Sequence, residues 1–300
     1  MAAEKARFPT SLEIITGQFP RHSKAYYQWR LKDSKKNFRN NKTPQLYDDI
    51  AVAQEKLGDT KSALKTMEAK LKKYGPSYET FANLGTFLIH SGKFEEGLKF
   101  IGKAVQLNPD AHFGREKYQR WLVQYLLATK AIVNGKIILP TGQSNTPPYS
   151  FANFLKKESN TNNKFDLKEQ KKAIEGIQGM MRFMSHESPL LLQILGELLS
   201  YGHPGQNANR LAAMCYLRAA KFAKGKAVKL KFTKLVQRTI LSHDGLKMGN
   251  IIKELKIEVK RGDELNTKIE SSEKNWIGKG KNASILFDKT FLKKWNERSN

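Results

Sequence analysis

The side chains that could do chemistry in this 300-residue sequence are dispersed. Its six histidines (His22, His90, His112, His186, His203 and His243) form no H-E-x-x-H and no paired spacing of the kind a zinc site needs. His186–Glu187 is an isolated dipeptide. The single cysteine, Cys215, falls on an apolar helical face, which predicts an inert buried thiol, and it rules out an intrachain disulfide or a cysteine metal site. No Gly-x4-Gly-Lys-Ser/Thr loop is present to cradle a phosphate, and no Gly-x-Ser-x-Gly elbow presents a nucleophile. Gly278, Lys279, Gly280 and Lys281 read as a basic flexible loop. The expectation is therefore a non-enzymatic protein with no catalytic residues, no metal and no cofactor. Positive charge, by contrast, has a pattern. Lys221, Lys224, Lys226, Lys229, Lys231, Lys234 and Arg238 run without an acidic residue between them, and Lys247, Lys253, Lys256, Lys260 and Arg261 follow. A stripe of this kind contacts phosphates with a salt-dependent affinity, although charged outer faces are also usual for capping helices.

Lys plus Arg number 53 against 28 Asp plus Glu, a formal charge of +25 that biases encounters toward nucleic acid, anionic membrane or acidic proteins. A hydrophobic content of 39% supports a core in one elongated domain or two smaller ones. No run of 18 apolar residues exists to span a membrane. The opening MAAEKARFPTSLEII lacks the basic-then-apolar order of a signal peptide. Location is thus expected to be cytoplasmic for the chain as it stands, or extracytoplasmic if a leader has been removed.

The elements that would carry these side chains follow from an internal repeat. Gly58 and Gly92 lie 34 residues apart, each ending an apolar-patterned helix. Around Gly92 stand Phe81, Leu84, Gly85, Leu88, Gly97, Ile101, Ala104 and Pro109; around Gly58 stand Tyr47, Ile50, Ala51, Ala63, Met67, Leu71 and Gly75. This pattern resembles the tetratricopeptide (TPR) repeat, a pair of antiparallel helices recurring every 34 residues. The resemblance implies an all-α, TPR-type helical-hairpin solenoid of about four repeats. The third is split: FGREKYQRWLVQYLLATKA, beginning near His112, is its first helix, and a segment around 166–184 with Ala173, Ile177 and Met180 is its second. Between them, 131–165 reads as an insertion of extended, turn and loop composition. The fourth uses Leu192, Leu195, Gly196 and Leu199, then Ala212, Tyr216 and Ala219, with the lengthened turn GHPGQN between. Residues 1–43 read as N-terminal capping helices, the first opened by a Thr10–Glu13 capping box, 44–224 as the array, and 225–300 as a basic helical cap and tail. Trp276, Ile285, Phe287, Phe291 and Trp295 predict that the tail packs back on the protein.

In TPR proteins the first helix of each repeat lines an inner groove. The resemblance places Asp48, Val52, Glu55, Glu79, Thr86, Ile89 and His90 there, and from the fourth repeat Gln193 and Glu197. That groove is mildly acidic in a strongly basic chain. It does not suit the family's clamp for acidic C-termini, because Asp48 and Asp49 stand where cations or amides are wanted, although Asn83 matches. RFPTSLEIITGQFPRHSKAYYQWRLKD, DAHFGREKYQRWLVQYLLA and GHPGQNANRLAAMCYLRAA are similar to stretches in a group of bacterial TPR-containing proteins without an assigned activity, some of them exported with a leader before the equivalent of Arg7. The functional expectation is a scaffold holding a peptide or helix of a partner protein in the groove. The alternative is a binder of nucleic acid or anionic surfaces through 221–261, with Lys224, Lys229, Lys231, Lys234 and Arg238 as its contacts. A third is a small-molecule or catalytic site where the insertion folds over the array.

Overall fold

Short polar side chains set where the helices begin. Thr10, Ser23, Thr43, Asp59, Ser77, Asp166, Ser188 and Asn282 each accept a hydrogen bond from the backbone N–H three residues on, an arrangement worth about 1 kcal/mol per cap. The computed structural model describes residues 7–109, 111–142, 150–158, 165–202 and 205–297, without the side chains of 112 and 113. In chain order the helices are α1 (Ser11–Thr16), α2 (Lys24–Asn40), α3 (Pro44–Lys56), α4 (Thr60–Tyr74), α5 (Tyr78–His90), α6 (Phe94–Leu107), α7 (Arg115–Ala128), α8 (Phe151–Glu158) and α9 (Leu167–Phe183). They continue as α10 (Pro189–Leu199), α11 (Gln206–Phe222), α12 (Lys226–Leu241), α13 (Met248–Gly278), α14 (Ala283–Phe287) and α15 (Lys293–Glu297). One two-stranded antiparallel hairpin, β1 (Ile132–Val133) and β2 (Lys136–Ile137), is the only sheet among the described residues. The protein is all-α. The side chain of His112, all of His203, and the loop stretches 143–149 and 159–164 of the insertion lie outside what is described.

The chain forms two compact units, one of Met1–Phe8, Phe19–Asp110 and Asp263–Asn300, the other of Pro9–Gln18 and Ala111–Gly262. The segment 44–224 is thus represented in both, as are 1–43 and 225–300. In the first unit α2 packs on α3, α3 pairs with α4 and α5 with α6. The loop glycines Gly58 and Gly92 have φ of 89° and 85°, a conformation that only glycine adopts cheaply. The α5–α6 approach is closer than side chains allow: a Cβ on Gly85 would lie 2.6 Å from Ile101, and one on Gly97 would lie 2.6 Å from Ile89. In α3–α4 the same role falls to Ala51 and Ala63, which are buried with Met67, Leu84 and Phe87.

The tail does pack back, and it does so on the start of α2. Ile269, Phe287, Phe291 and Leu292 form a core with Leu265 and Trp276 at its edge. Buried Glu273 meets His22 Nδ1 at 2.6 Å and accepts from the Ser23 amide at 2.9 Å, while Tyr26 and Ser284 share a hydroxyl bond of 2.9 Å. Trp295 donates its indole N–H to the Arg7 carbonyl, and the Arg7 guanidinium lies 3.9 Å from its ring centroid. Ile285, of the five tail residues, is exposed.

In the second unit α7 pairs with α9, α10 with α11, and α12 packs on α11. Here too glycine admits a ring: a Cβ on Gly176 would lie 2.1 Å from Tyr118, and one on Gly196 would lie 2.8 Å from Tyr216. Helix α1 belongs to this unit. Gln178 donates to Ser11 Oγ at 2.7 Å, Arg218 donates to the Ile15 carbonyl at 3.2 Å, and a Cβ on Gly262 would lie 2.1 Å from the Thr16 carbonyl oxygen. The insertion opens with the β1–β2 hairpin, whose turn residues Asn134 and Gly135 both have positive φ, as a tight two-residue turn requires. It then differs from its loop reading, because 151–158 is helix α8. Phe151, Ala152, Phe154 and Leu155 give α8 a buried apolar face, with both phenylalanine rings within 6 Å of the Tyr125 centroid.

Candidate functional site

Seven of the residues assigned to the groove stand on α3 and α5 of the first unit, and their chemistry is largely turned inward. Asp48 accepts from Lys70 Nζ at 2.6 Å and from Asn83 Nδ2 at 3.2 Å, tying α3 to α4 and α5. Lys70 is only 3% exposed, so this is an interior ion pair whose halves depend on each other. Burial pushes the Asp48 carboxyl above its usual range, and the Lys70 contact offsets only part of that. Glu55 meets His90 Nδ1 at 2.6 Å and bridges α3 to α5. Asp49 pairs with Arg30 of α2 at 2.5 Å. Val52 packs at the edge of the α3–α4 core, and Ile89 lies over Gly97. Thr86 is half-buried. Glu79, in the first turn of α5, is the exposed carboxylate of the set.

Gln193 is an interior residue of the second unit, and Glu197 beside it is half-buried. Gln193 is 1% exposed; its carbonyl accepts from the Thr141 amide at 2.9 Å, and its amide donates to Thr141 Oγ1 at 2.9 Å and to Glu197 Oε1 at 2.6 Å. Glu197 also accepts from the Phe151 amide at 3.2 Å. The insertion therefore lies on the face that the fourth repeat was expected to offer, using Thr141 and the first residue of α8. Burial pushes the Glu197 carboxyl up to about 7. Tyr125 reaches Thr141 at 3.4 Å from the other side, and burial raises its hydroxyl as well. Each polar group in this cluster is engaged by another. It fastens the insertion to α10.

The basic residues, in contrast, face outward. Lys224 precedes α12, and Lys229, Lys231, Lys234 and Arg238 project from it, all exposed. Phe232, Val236 and Thr239 turn the opposite face inward. Leu230 and Leu241 are 58% and 83% exposed on the same helix. Among the described residues none of the α12 cations makes an ion pair. On α13 the charges are mixed instead: Glu258 binds Arg261 at 2.5 Å and Glu254 binds Arg210 of α11.

Sequence reading missed a cleft in the second unit. Ser200 and Gly202 after α10, Asn209 and Tyr216 of α11, Leu235, Arg238 and Thr239 of α12, and Ser242 and His243 beyond it line an open cleft of about 610 Å³. No motif marks these residues, because they converge only once three helices and two loops have packed. The remaining chemistry candidates are engaged by other groups or buried. His22 is bound to Glu273, His186 is buried, and Cys215 is fully buried with its thiol pushed far up by desolvation. Gly280 has a φ of 66° in the turn that follows α13. Among the described residues no group of three His, Cys, Asp or Glu is placed to hold a metal ion, and no helix is long and apolar enough to cross a membrane. No protein-family model and no curated protein matches the chain.

Proposed function

We propose that the protein is a non-catalytic scaffold of TPR-type helical hairpins, which binds a peptide or helix of a partner protein along the α3–α5 face of its first unit. The reading is supported by the glycine and alanine contacts that recur at the same positions of α3–α4 and α5–α6. The observation that carries it is exposed Glu79 on the helix that also bears half-buried Thr86 and Ile89. Asp48 and Glu55 are matched internally by Lys70 and His90, so Glu79 is the carboxylate left for a partner. An apolar segment with a basic residue at one end complements it. Glu79→Lys tests the reading, because it reverses that charge while keeping both residues of the Asp48–Lys70 pair. We expect it to weaken capture of the partner at least tenfold with an unchanged thermal melt; a partner captured equally well by the variant refutes the face. Asp48→Lys does not serve, since it places two cations together in the interior.

A second reading has its own observation, the exposed and unpaired cations of α12. Through these residues the protein binds nucleic acid or an anionic surface. Affinity for a nonspecific duplex then falls steeply with added salt, with a log–log slope of about 0.9 per phosphate contact. Exchanging Lys229, Lys231 and Lys234 together for Gln lowers both affinity and slope. Binding indifferent to salt or to these changes removes this reading.

A further inference from the structure

We infer that the cleft between α11 and α12 is a binding site for a small organic oxyanion, a carboxylate or phosphomonoester head on a short apolar body. The cleft lies apart from the α3–α5 face, and the inference does not rest on it. Its volume of about 610 Å³ is that of a small-molecule pocket. The polar groups in its wall sort by what they have already given away. Ser200 Oγ donates to the Gly196 carbonyl at 2.8 Å, Thr239 Oγ1 to that of Leu235 at 2.9 Å, and Ser242 Oγ to that of Thr239 at 2.8 Å. Those hydroxyl hydrogens are committed. Asn209 differs. It is 2% exposed, it lines the cleft, and its Nδ2 is buried without any hydrogen-bond partner. A buried N–H2 lacking an acceptor is unusual in a folded protein, and this one belongs to a residue of the cleft wall.

Arg238 supplies the charge. It enters the same cleft from α12 and makes no ion pair among the described residues, and a guanidinium presents paired donors in the geometry of a carboxylate or phosphate. Among the described residues no Asp or Glu lines the cleft. His243 adds a ring nitrogen to the wall, and Leu235 with the ring of Tyr216 supplies its apolar part. An unsatisfied donor and an uncompensated cation beside an apolar wall describe a ligand with an oxyanion at one end and carbon at the other.

Calorimetric titration of the full chain with hexyl phosphate, hexanoate and inorganic phosphate tests the site. The expected result is saturable one-to-one binding of an alkylated probe, tighter than that of inorganic phosphate. A preference for hexyl phosphate assigns a phosphomonoester and the reverse a carboxylate, and both uphold the site. Arg238→Gln is expected to weaken binding at least tenfold, and Asn209→Asp, which sets a carboxylate against the head group, to abolish it. Exchanging Lys229, Lys231 and Lys234 for Gln is expected to leave it unchanged, which separates the cleft from general attraction to the basic helix. Should Asn209→Asp fail to fold, Arg238→Gln decides alone, because that side chain is exposed. No saturable binding by any probe, binding that survives Arg238→Gln, or binding lost in the triple lysine variant overturns the proposal.

Discussion

Glu197 shows how one residue's meaning depends on what lies over it. Repeat spacing places it on the first helix of a hairpin, but spacing cannot say that the Phe151 amide and the Gln193 side chain will engage it. The covering leaves a titration signature. Burial raises the folded carboxyl from an ordinary value of 4.5 to about 7, so the folded state holds its proton more tightly than the unfolded state. Stability is fully present below pH 4.5, declines as pH rises toward 7, and is constant above it. Glu197→Gln removes this dependence. At pH 8 we expect it to raise stability by about 3 kcal/mol, and at pH 4 to change it little. Urea unfolding at the two pH values, followed by circular dichroism, provides the check. Equal effects at both refute the assignment. Asn209 was illegible for a related reason: an unpartnered amide becomes visible only when its neighbours are placed.

At the scale of the element, the sequence is most readable where backbone chemistry decides the outcome. The Thr10–Glu13 capping box, the positive-φ turns at Gly58 and Gly92, and the small residues between paired helices are local demands with local signatures. Gly97 and Gly102 separate packing from propensity on one helix. A Cβ at Gly97 would lie 2.6 Å from Ile89 and 2.9 Å from the Gly85 carbonyl oxygen, whereas one at Gly102 would meet nothing within 4 Å. Gly97→Ala is expected to cost about 2 kcal/mol through this overpacking, and Gly102→Ala to gain up to about 1 kcal/mol from helix propensity alone. Opposite shifts of the thermal midpoint are the expected outcome. Helix α8 was less legible. Its Phe151, Ala152, Phe154 and Leu155 have helical spacing, but eight residues between two polar tracts carry a weak periodic signal. The α12 face was read directly, because cations with no acidic residue between them have no way to be buried.

At the scale of the whole molecule, the order of helices along the chain differs from their grouping in space. A sequential reading joins α1 to α2 and places α12 and the tail together after the fourth hairpin. In the structure α1 packs with α9 and α11, and the tail from Asp263 packs with α2. Nothing in the apolar pattern of α1 names its partner, since any complementary apolar face satisfies it. Truncation after Gly262 is therefore predicted to damage the first unit. It removes Glu273, Phe287 and Phe291, leaving His22 and Tyr26 without their cover. The measurement is hydrogen exchange across α2, whose amides should lose protection in the truncated chain; unchanged protection contradicts the prediction.

The tail's attachment at Glu273 also imposes a timetable. A chain made from its N-terminus produces Phe19–Asp110 early, yet the segment that closes over the start of α2 is translated only after the whole of the second unit. The nascent protein carries an uncovered His22–Tyr26 surface for the time needed to make more than half its length. Completion of the first unit is a late event, and helper proteins that shield apolar surface at the ribosome have their longest opportunity there.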